Sequence, residues 1–293
     1  MIVRMGAVRM GATDAASEIV VVTGASGRIG RRVVPLLRRP GRVLRLVDLE
    51  VPEDAVAASD DLALGAIEWH HASIEDDEAI GRAVDGADAV VHLAALASER
   101  PWADLLRVNI DGTQKVLEAA RTAGVGRVFL ASSVHAFGFA DVADAAQDQP
   151  LLPRPDTYYG VSKAAVEALG SLYADRFGMS VVTARICHFA PDPGPGGTLG
   201  LSLVQWFSVD DAVRLIEAAL AVDDGRHHLV WGVSANAPAR FSLAAGRAIG
   251  YEPQDDAVRV ATLRDGAAPA MPAPAGPLGG MFTDEAHPVG GTW

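Results

Sequence analysis

Ile19–Thr23 (IVVVT) is an apolar, β-branched run without polar alternation, and it feeds directly into Thr23-Gly24-Ala25-Ser26-Gly27-Arg28-Ile29-Gly30. A strand of that kind is buried on both faces, as in parallel sheets covered by helices. The glycines of the following turn have separate duties. Gly24 permits a tight turn, Gly27 allows a pyrophosphate to approach the backbone, and Gly30 lets the next helix pack closely on the strand. The helix that starts here offers free N–H groups and the positive end of its dipole to phosphates. Strand, turn and helix together predict a dinucleotide site at Gly24, Ser26, Gly27, Arg28, Ile29 and Gly30.

The rest of the chain repeats the same alternation. Apolar runs at 43–47, 67–71, 89–93, 127–131, 180–186 and 229–231 predict strands. Helical patterns at 28–38, 76–84, 105–123, 159–177 and 209–221 lie between them. Ser73 is the expected cap of the helix through Asp76 to Val84. Ser208-Val209-Asp210-Asp211 reads as a capping box. Strands alternating with helices predict an α/β fold, a doubly wound parallel sheet of the Rossmann type. The 293 residues divide into a loose extension at 1–17, a nucleotide-binding domain at 18–190 plus 206–235, and a small C-terminal substrate cap at 191–205 plus 236–293. Pro/Gly-rich 191–200 and Pro/Ala/Gly-rich 265–280 read as irregular segments.

Three further positions carry chemistry. Asp48 ends the second strand, where a carboxylate accepts hydrogen bonds from the adenosine ribose and repels a 2′-phosphate. That favours NAD, although Arg28 near the turn offers a partner to a 2′-phosphate. Tyr159 and Lys163 are i and i+4 on one helix face. Lys163 is therefore expected to lower the phenol's pKa toward neutrality, so that Tyr159 can exchange a proton with a substrate oxygen. Tyr158 has Ser162 at i+4 and lacks that cation. Ser133 follows the fifth strand, at the end of the sheet where ligands bind.

Taken together, TGASGRIG, Asp48, His92–Ala95 (HLAA), Asn109-Ile110-Asp111-Gly112-Thr113, Ser133 and Tyr159/Lys163 resemble an extended-type short-chain dehydrogenase/reductase. Ala131–Gly138, Trp206–Asp211, Trp231–Asn236, Gly250–Pro253 and Gly279–Phe282 are similar to bacterial uronate dehydrogenases. Those NAD enzymes oxidise the C1 hydroxyl of a cyclic hexuronate to a lactone. The resemblance implies that Ser133 and Tyr159 bracket the reacting oxygen while Lys163 binds the nicotinamide ribose. It implies cofactor contacts from Ser73, Ile74, Leu93, Ala94, Ala95, Asn109, Lys163 and Ile186, with Ser73 where the family has an aspartate. On the substrate side it points to Ala97, Ser133, Val134, His135, Tyr159, His188 and Leu201. Several of these depart from the family: Val134 replaces an asparagine, Ala97 and His188 replace serines, and Gly200–Gln205 lacks the arginine that clamps the substrate carboxylate. An altered sugar substrate is thus expected. An NAD-retaining epimerase, or a reductase of a more hydrophobic metabolite, is the alternative. A dinucleotide-sensing scaffold would not need Ser133, Tyr159 and Lys163 together.

The 25 Lys+Arg against 37 Asp+Glu give a formal charge of −12, with no basic excess to neutralise nucleic-acid phosphates. No apolar run approaches a membrane span, and the first 17 residues lack the apolar core of a signal peptide. A cytoplasmic enzyme with a small-molecule substrate, and a homodimer as in many relatives, is the expectation. Cys187 is the one cysteine and reads as a small buried residue. His92 reads as a core residue and His135 as a structural one. His70-His71 and His227-His228 are adjacent pairs whose side chains point to opposite strand faces, so no metal site is expected.

Overall fold

The computed structural model describes residues 17–52, 64–148, 152–194, 200–270 and 276–293. Most of the extension at 1–17 lies outside them, as do parts of the two Pro/Gly-rich segments, 195–199 and 271–275.

Seven strands form one parallel sheet: β1 (Glu18–Thr23), β2 (Arg42–Asp48), β3 (Ala66–His71), β4 (Ala89–His92), β5 (Arg127–Ser133), β6 (Ser180–Ile186) and the later β9 (His227–Gly232). Their spatial order is β3-β2-β1-β4-β5-β6-β9. Chain order reverses between β1 and β4, which opens a crevice at the carboxyl ends of those strands. Two-residue strands β7 (His188–Phe189) and β8 (Trp206–Phe207) pair in parallel beyond the end of β6.

The helices are α1 (Gly30–Leu37), α2 (Asp77–Val84), α3 (Trp102–Leu105), α4 (Gly112–Thr122), α5 (Val142–Ala145), α6 (Tyr158–Phe177), α7 (Gly200–Val204), α8 (Val209–Leu220), α9 (Ala244–Ala248) and α10 (Ala257–Asp265). Alternate strand residues serve opposite faces of the sheet. Val20, Val22, Leu44, Leu46, Val91 and Phe129 pack with Val33 and Leu37 of α1 and Leu215 and Ile216 of α8. Val21, Val47, Val90, Val128 and Leu130 pack with Ile80 of α2, Val116 and Leu117 of α4, and Val166 of α6. Both faces are apolar, and that is why the strand sequences show no alternation.

Several local expectations shift. The first helix starts at Gly30, since Arg28 and Ile29 remain in the turn. Asp76, not Ser73, caps α2 by accepting from Ala79 N at 3.0 Å; Ser73 Oγ accepts from Glu75 N inside the preceding turn. The helix expected at 105–123 begins at Trp102 and passes through a π-helical segment, Leu106–Asp111, before α4. Ser208 caps α8, accepting from Asp211 N at 3.0 Å. The reciprocal half of the capping box is missing, because the fully buried Asp211 carboxylate accepts from Gln254 N, Asp255 N and Arg214.

His92 is a satisfied core residue. Thr113 Oγ1 donates to Asn109 O, so its lone pairs accept from His92 Nε2, and His92 Nδ1 accepts from Thr23 Oγ1 at 2.7 Å. Burial and the Lys163 charge push this imidazole down to about 3. An unfolded histidine takes up a proton below about 6.5, whereas folded His92 stays neutral until about pH 3. The unfolded state therefore holds more protons in that window, and stability falls with falling pH by up to about 1.4 kcal/mol per unit. Denaturant unfolding at pH 7.5 and 5.5 should show this loss, and His92→Asn should reduce it.

Candidate active site

The carboxyl ends of β1, β2, β4, β5 and β6 open into a continuous cavity of about 870 Å³, running from Asp48 and Gly24 to Leu201 and Phe282. Of the sequence-predicted site residues, all but Ser26 and Asn109 line it.

At one end is the glycine turn. Gly24 has φ +73°, and a Cβ there would stand 2.6 Å from Ala94 N. A Cβ on Gly30 would stand 2.5 Å from Ala25 O, whereas on Gly27 it would meet only Gly24 O at 3.1 Å. Gly24 and Gly30 thus hold the turn against β4 and α1, and Gly27 leaves its outer side open to a ligand. Asp48 Oδ2 accepts from Ser26 N at 2.8 Å and Oδ1 from Leu49 N at 2.7 Å. The carboxylate is fixed at the tip of β2, facing the cavity. Ser26 itself points away, its hydroxyl donating to Glu50 O. This cradle with its fixed carboxylate fits the adenosine half of NAD. Asp48→Ser should narrow the preference for NAD over NADP by tenfold or more, read from kcat/KM with each cofactor.

Asn109 does not line the cavity. It is fully buried in the π-helical segment. Its amide donates to Leu96 O and Ser162 Oγ, and its Oδ1 accepts from Leu96 N. Its work is to clamp the loop after β4, which carries Leu93–Ala97, onto α6. The expected contact with the nicotinamide end is corrected to a scaffolding role, because every polar atom of the side chain is already engaged.

At the centre, β5 delivers Ser133 and the first two turns of α6 deliver Tyr159 and Lys163. All three are buried. Ser133 is near enough to the Tyr159 phenol to favour its ionised form, and its Oγ accepts from His135 N. Lys163 Nζ lies 5.7 Å from the Tyr159 ring centre and donates to Ala131 O at 2.8 Å. The expected lowering of the phenol's pKa by Lys163 is not found. Burial pushes Tyr159 up to about 12, and Ser133 and Arg28 pull it back only in part. Burial also draws Lys163 down to about 8. The i, i+4 spacing brings the two side chains together, but it carries no information on how far both are stripped of water.

The far end is walled by Val134, His135, His188, Leu201, Gln205, Met281 and Phe282. His135 Nδ1 donates to Asp156 Oδ2 at 2.7 Å, and the ring stacks on Phe282 with centres 3.8 Å apart. Asp156 is buried beneath, where Thr157 Oγ1 donates to it. His188 is held below its ordinary pKa by partial burial and the nearby Arg28 charge. Burial pushes the Cys187 thiol up, away from nucleophilic chemistry. Among the described residues no group of three His, Cys, Asp or Glu is placed to hold a metal.

One functional residue had no sequence signal. Glu99 is fully buried and accepts from Tyr158 N at 3.3 Å, Tyr159 N at 2.7 Å and Gly290 N at 2.7 Å. It pins the start of α6 to the C-terminal segment. Gln205 adds a second tie, donating from Nε2 to Leu278 O.

Comparison with known proteins agrees with this geometry. The profile of the NAD dependent epimerase/dehydratase family matches residues 20–199. The chain belongs to that family. It is 34% identical to the uronate dehydrogenase of Pseudomonas syringae pv. tomato, covering 80% of this chain and 82% of that one. It is 35% identical to an NAD-dependent glucose-6-phosphate dehydrogenase of Haloferax volcanii, covering 81% and 93%. Among solved structures, a variant uronate dehydrogenase from Agrobacterium tumefaciens complexed with NAD superposes with a TM-score of 0.76 at 32% identity, covering 94% and 100%. This member of the family is an NAD-dependent oxidoreductase acting on a CH–OH group of a small molecule. Among the described residues no helix is long and apolar enough to cross a membrane.

Proposed function

We propose that the protein oxidises the C1 hydroxyl of a cyclic sugar to a lactone, as a uronate-dehydrogenase-like enzyme with a changed substrate. The observation that carries this reading is the meeting of Ser133, Tyr159 and Lys163 in the same cavity as the glycine turn and Asp48. NAD, when bound, supplies the hydride acceptor. The chain handles the proton and the geometry. Ser133 donates a hydrogen bond to the reacting oxygen, and Tyr159, having first lost its own proton to solvent and reacting as the phenolate, takes the hydroxyl proton. Lys163, whose pKa of about 8 is the closest of these groups to neutrality, holds positive charge beside the phenol as the proton leaves.

In this proposal the described residues 191–194, 200–205, 236–270 and 276–293 form the substrate cap, Leu278 and Phe282 contributing its inner surface. A cytoplasmic homodimer belongs to the same proposal. Light scattering of the purified protein should give twice the chain mass, and fractionation should place the enzyme with the cytoplasm.

The test is NADH formation at 340 nm with a panel of uronic acids, neutral aldoses and sugar phosphates. Turnover of at least one member is expected, and the absence of turnover on all of them overturns the reading. A second reading draws on Val134, Leu201, Met281 and Phe282, which make the far end apolar. It assigns an epimerase or reductase of a hydrophobic metabolite. Tightly retained NAD in the purified protein favours the epimerase; freely exchanging NAD favours the dehydrogenase.

A further inference from the structure

The cavity carries an imbalance of charge. Its lining carboxylates are Asp48 and Glu75. Asp48 is at the tip of β2, and Glu75, in the loop after β3, pairs with Arg107. Both belong to the adenosine end. Among the described residues no carboxylate lines the far end, since Asp156 lies beneath His135.

The cations are distributed differently. Arg107 is bound to Glu75 and Asp104. Lys163 lies on Ala131 O beneath the Tyr159 ring. Arg28 leaves the glycine turn and crosses toward the opposite lip, where Nη2 donates to Phe189 O at 2.8 Å. That carbonyl is next to His188, and the Arg28 charge acts on both the His188 ring and the Tyr159 phenol. Its guanidinium is therefore held at the lip of the cavity formed by His188 and Phe189, and it makes no ion pair with Asp48. Among the described residues Arg28 makes no ion pair, and the Phe189 carbonyl takes one of its five N–H donors.

We propose that Arg28 is the specificity-determining cation of this enzyme. It reads an anionic group on the sugar, a carboxylate or a phosphate, from the cofactor side of the cavity. The segment Gly200–Gln205 on the cap side offers no basic residue for that task. Moving the cation from the cap to the glycine turn changes which end of the substrate can carry the charge. A planar fork of donors matches a carboxylate or phosphate through paired hydrogen bonds. The competing partner for Arg28 is the cofactor pyrophosphate, which the same turn cradles.

The proposal rests on the reading of the far end as a sugar site, and its test separates the two. The variant is Arg28→Gln, which keeps a donor and removes the charge. The first readout is the ratio of kcat/KM for glucuronate, and separately for glucose 6-phosphate, to kcat/KM for glucose. The variant is expected to lower that ratio by about 10- to 100-fold for whichever anionic sugar the wild type prefers, the range for a lost hydrogen bond to a charged group. The second readout is binding without turnover: each sugar titrated into the NADH complex, and NADH into the free protein, by fluorescence. Anionic-sugar affinity should fall at least tenfold, and by a larger factor than NADH affinity. Equal losses for charged and neutral sugars, or a matching loss of NADH affinity, overturn the proposal and assign Arg28 to the pyrophosphate. A wild type that prefers neutral sugars also overturns it. If no sugar is oxidised, the reading of the reaction fails, and the binding titrations alone decide the role of Arg28.

Discussion

Tyr159→Phe should lower kcat by about 10³-fold, within the range for loss of a positioned acid–base group, while the KM for NAD changes little. The substitution removes one oxygen from a ring that is 7% exposed. The ring's packing survives, because its edge-on contact with His135, centres 5.8 Å apart, involves no hydroxyl. The glycine turn and Asp48 are untouched, so the cofactor should bind as before. The lost oxygen is the one that shares the cavity with Ser133, and without it the proton has no acceptor at the reacting centre. Steady-state kinetics with a substrate found in the sugar panel, together with a NADH titration, provide the check. A variant retaining more than a tenth of wild-type kcat would remove Tyr159 from the proton path. His135, backed by Asp156, would then be the nearest other candidate.

Glu99→Ala should cause the largest loss of stability of any single substitution discussed. Three backbone donors, Tyr158 N, Tyr159 N and Gly290 N, converge on this one buried carboxylate. Stranding a buried donor costs about 1–3 kcal/mol; Tyr159 N is buried and the other two are part-buried, so a total of about 3–6 kcal/mol is expected, a drop in Tm on the order of 10 °C. Activity should fall further than the stability change explains at temperatures where the variant is folded, since Tyr159 loses the anchor of its own peptide N–H. Glu99→Gln keeps one full acceptor and should lie between. Thermal unfolding with and without NADH, and kcat measured well below Tm, test both parts. A loss under about 1 kcal/mol would mean that other acceptors reach those N–H groups and that Glu99 is no clamp.

The difference between what the residues foretold and what they concealed follows the range of each interaction. Gly24, Gly27, Gly30 and Asp48 were legible because their duties are local to one strand–turn–helix unit. Ser133, Tyr159 and Lys163 were legible as a set because sheet topology brings strand ends to one crevice. The strands themselves announced burial on both faces through their unbroken apolar runs. Glu99 gave no signal, for its partners are 59, 60 and 191 residues away. The π-helical segment also escaped notice. Its irregular winding accompanies the clamp of Asn109 on Leu96 and Ser162, contacts that no local propensity encodes. Ser73 and Asp76 are both good capping residues. The start of α2 at Asp77 decides between them, and a three-residue difference of that kind is set by packing. The tuning of Tyr159 by Lys163 was over-read, because spacing reports proximity and not desolvation.

The outer wall of the site has a consequence for how the protein is made. Leu278 N donates to Ala140 O, Gly279 N to Gly138 O and Gly290 N to Glu99, and Phe282 covers His135. During synthesis the nucleotide-binding strands β1 to β6 leave the ribosome long before these residues do. Domains fold as units while the chain lengthens, so the cofactor cradle can be complete while Glu99 and His135 still lack their partners. A nascent chain stalled near residue 270 should hold NADH but have an unwalled substrate end. The cofactor site is thus expected to form before the later segment that walls the substrate end.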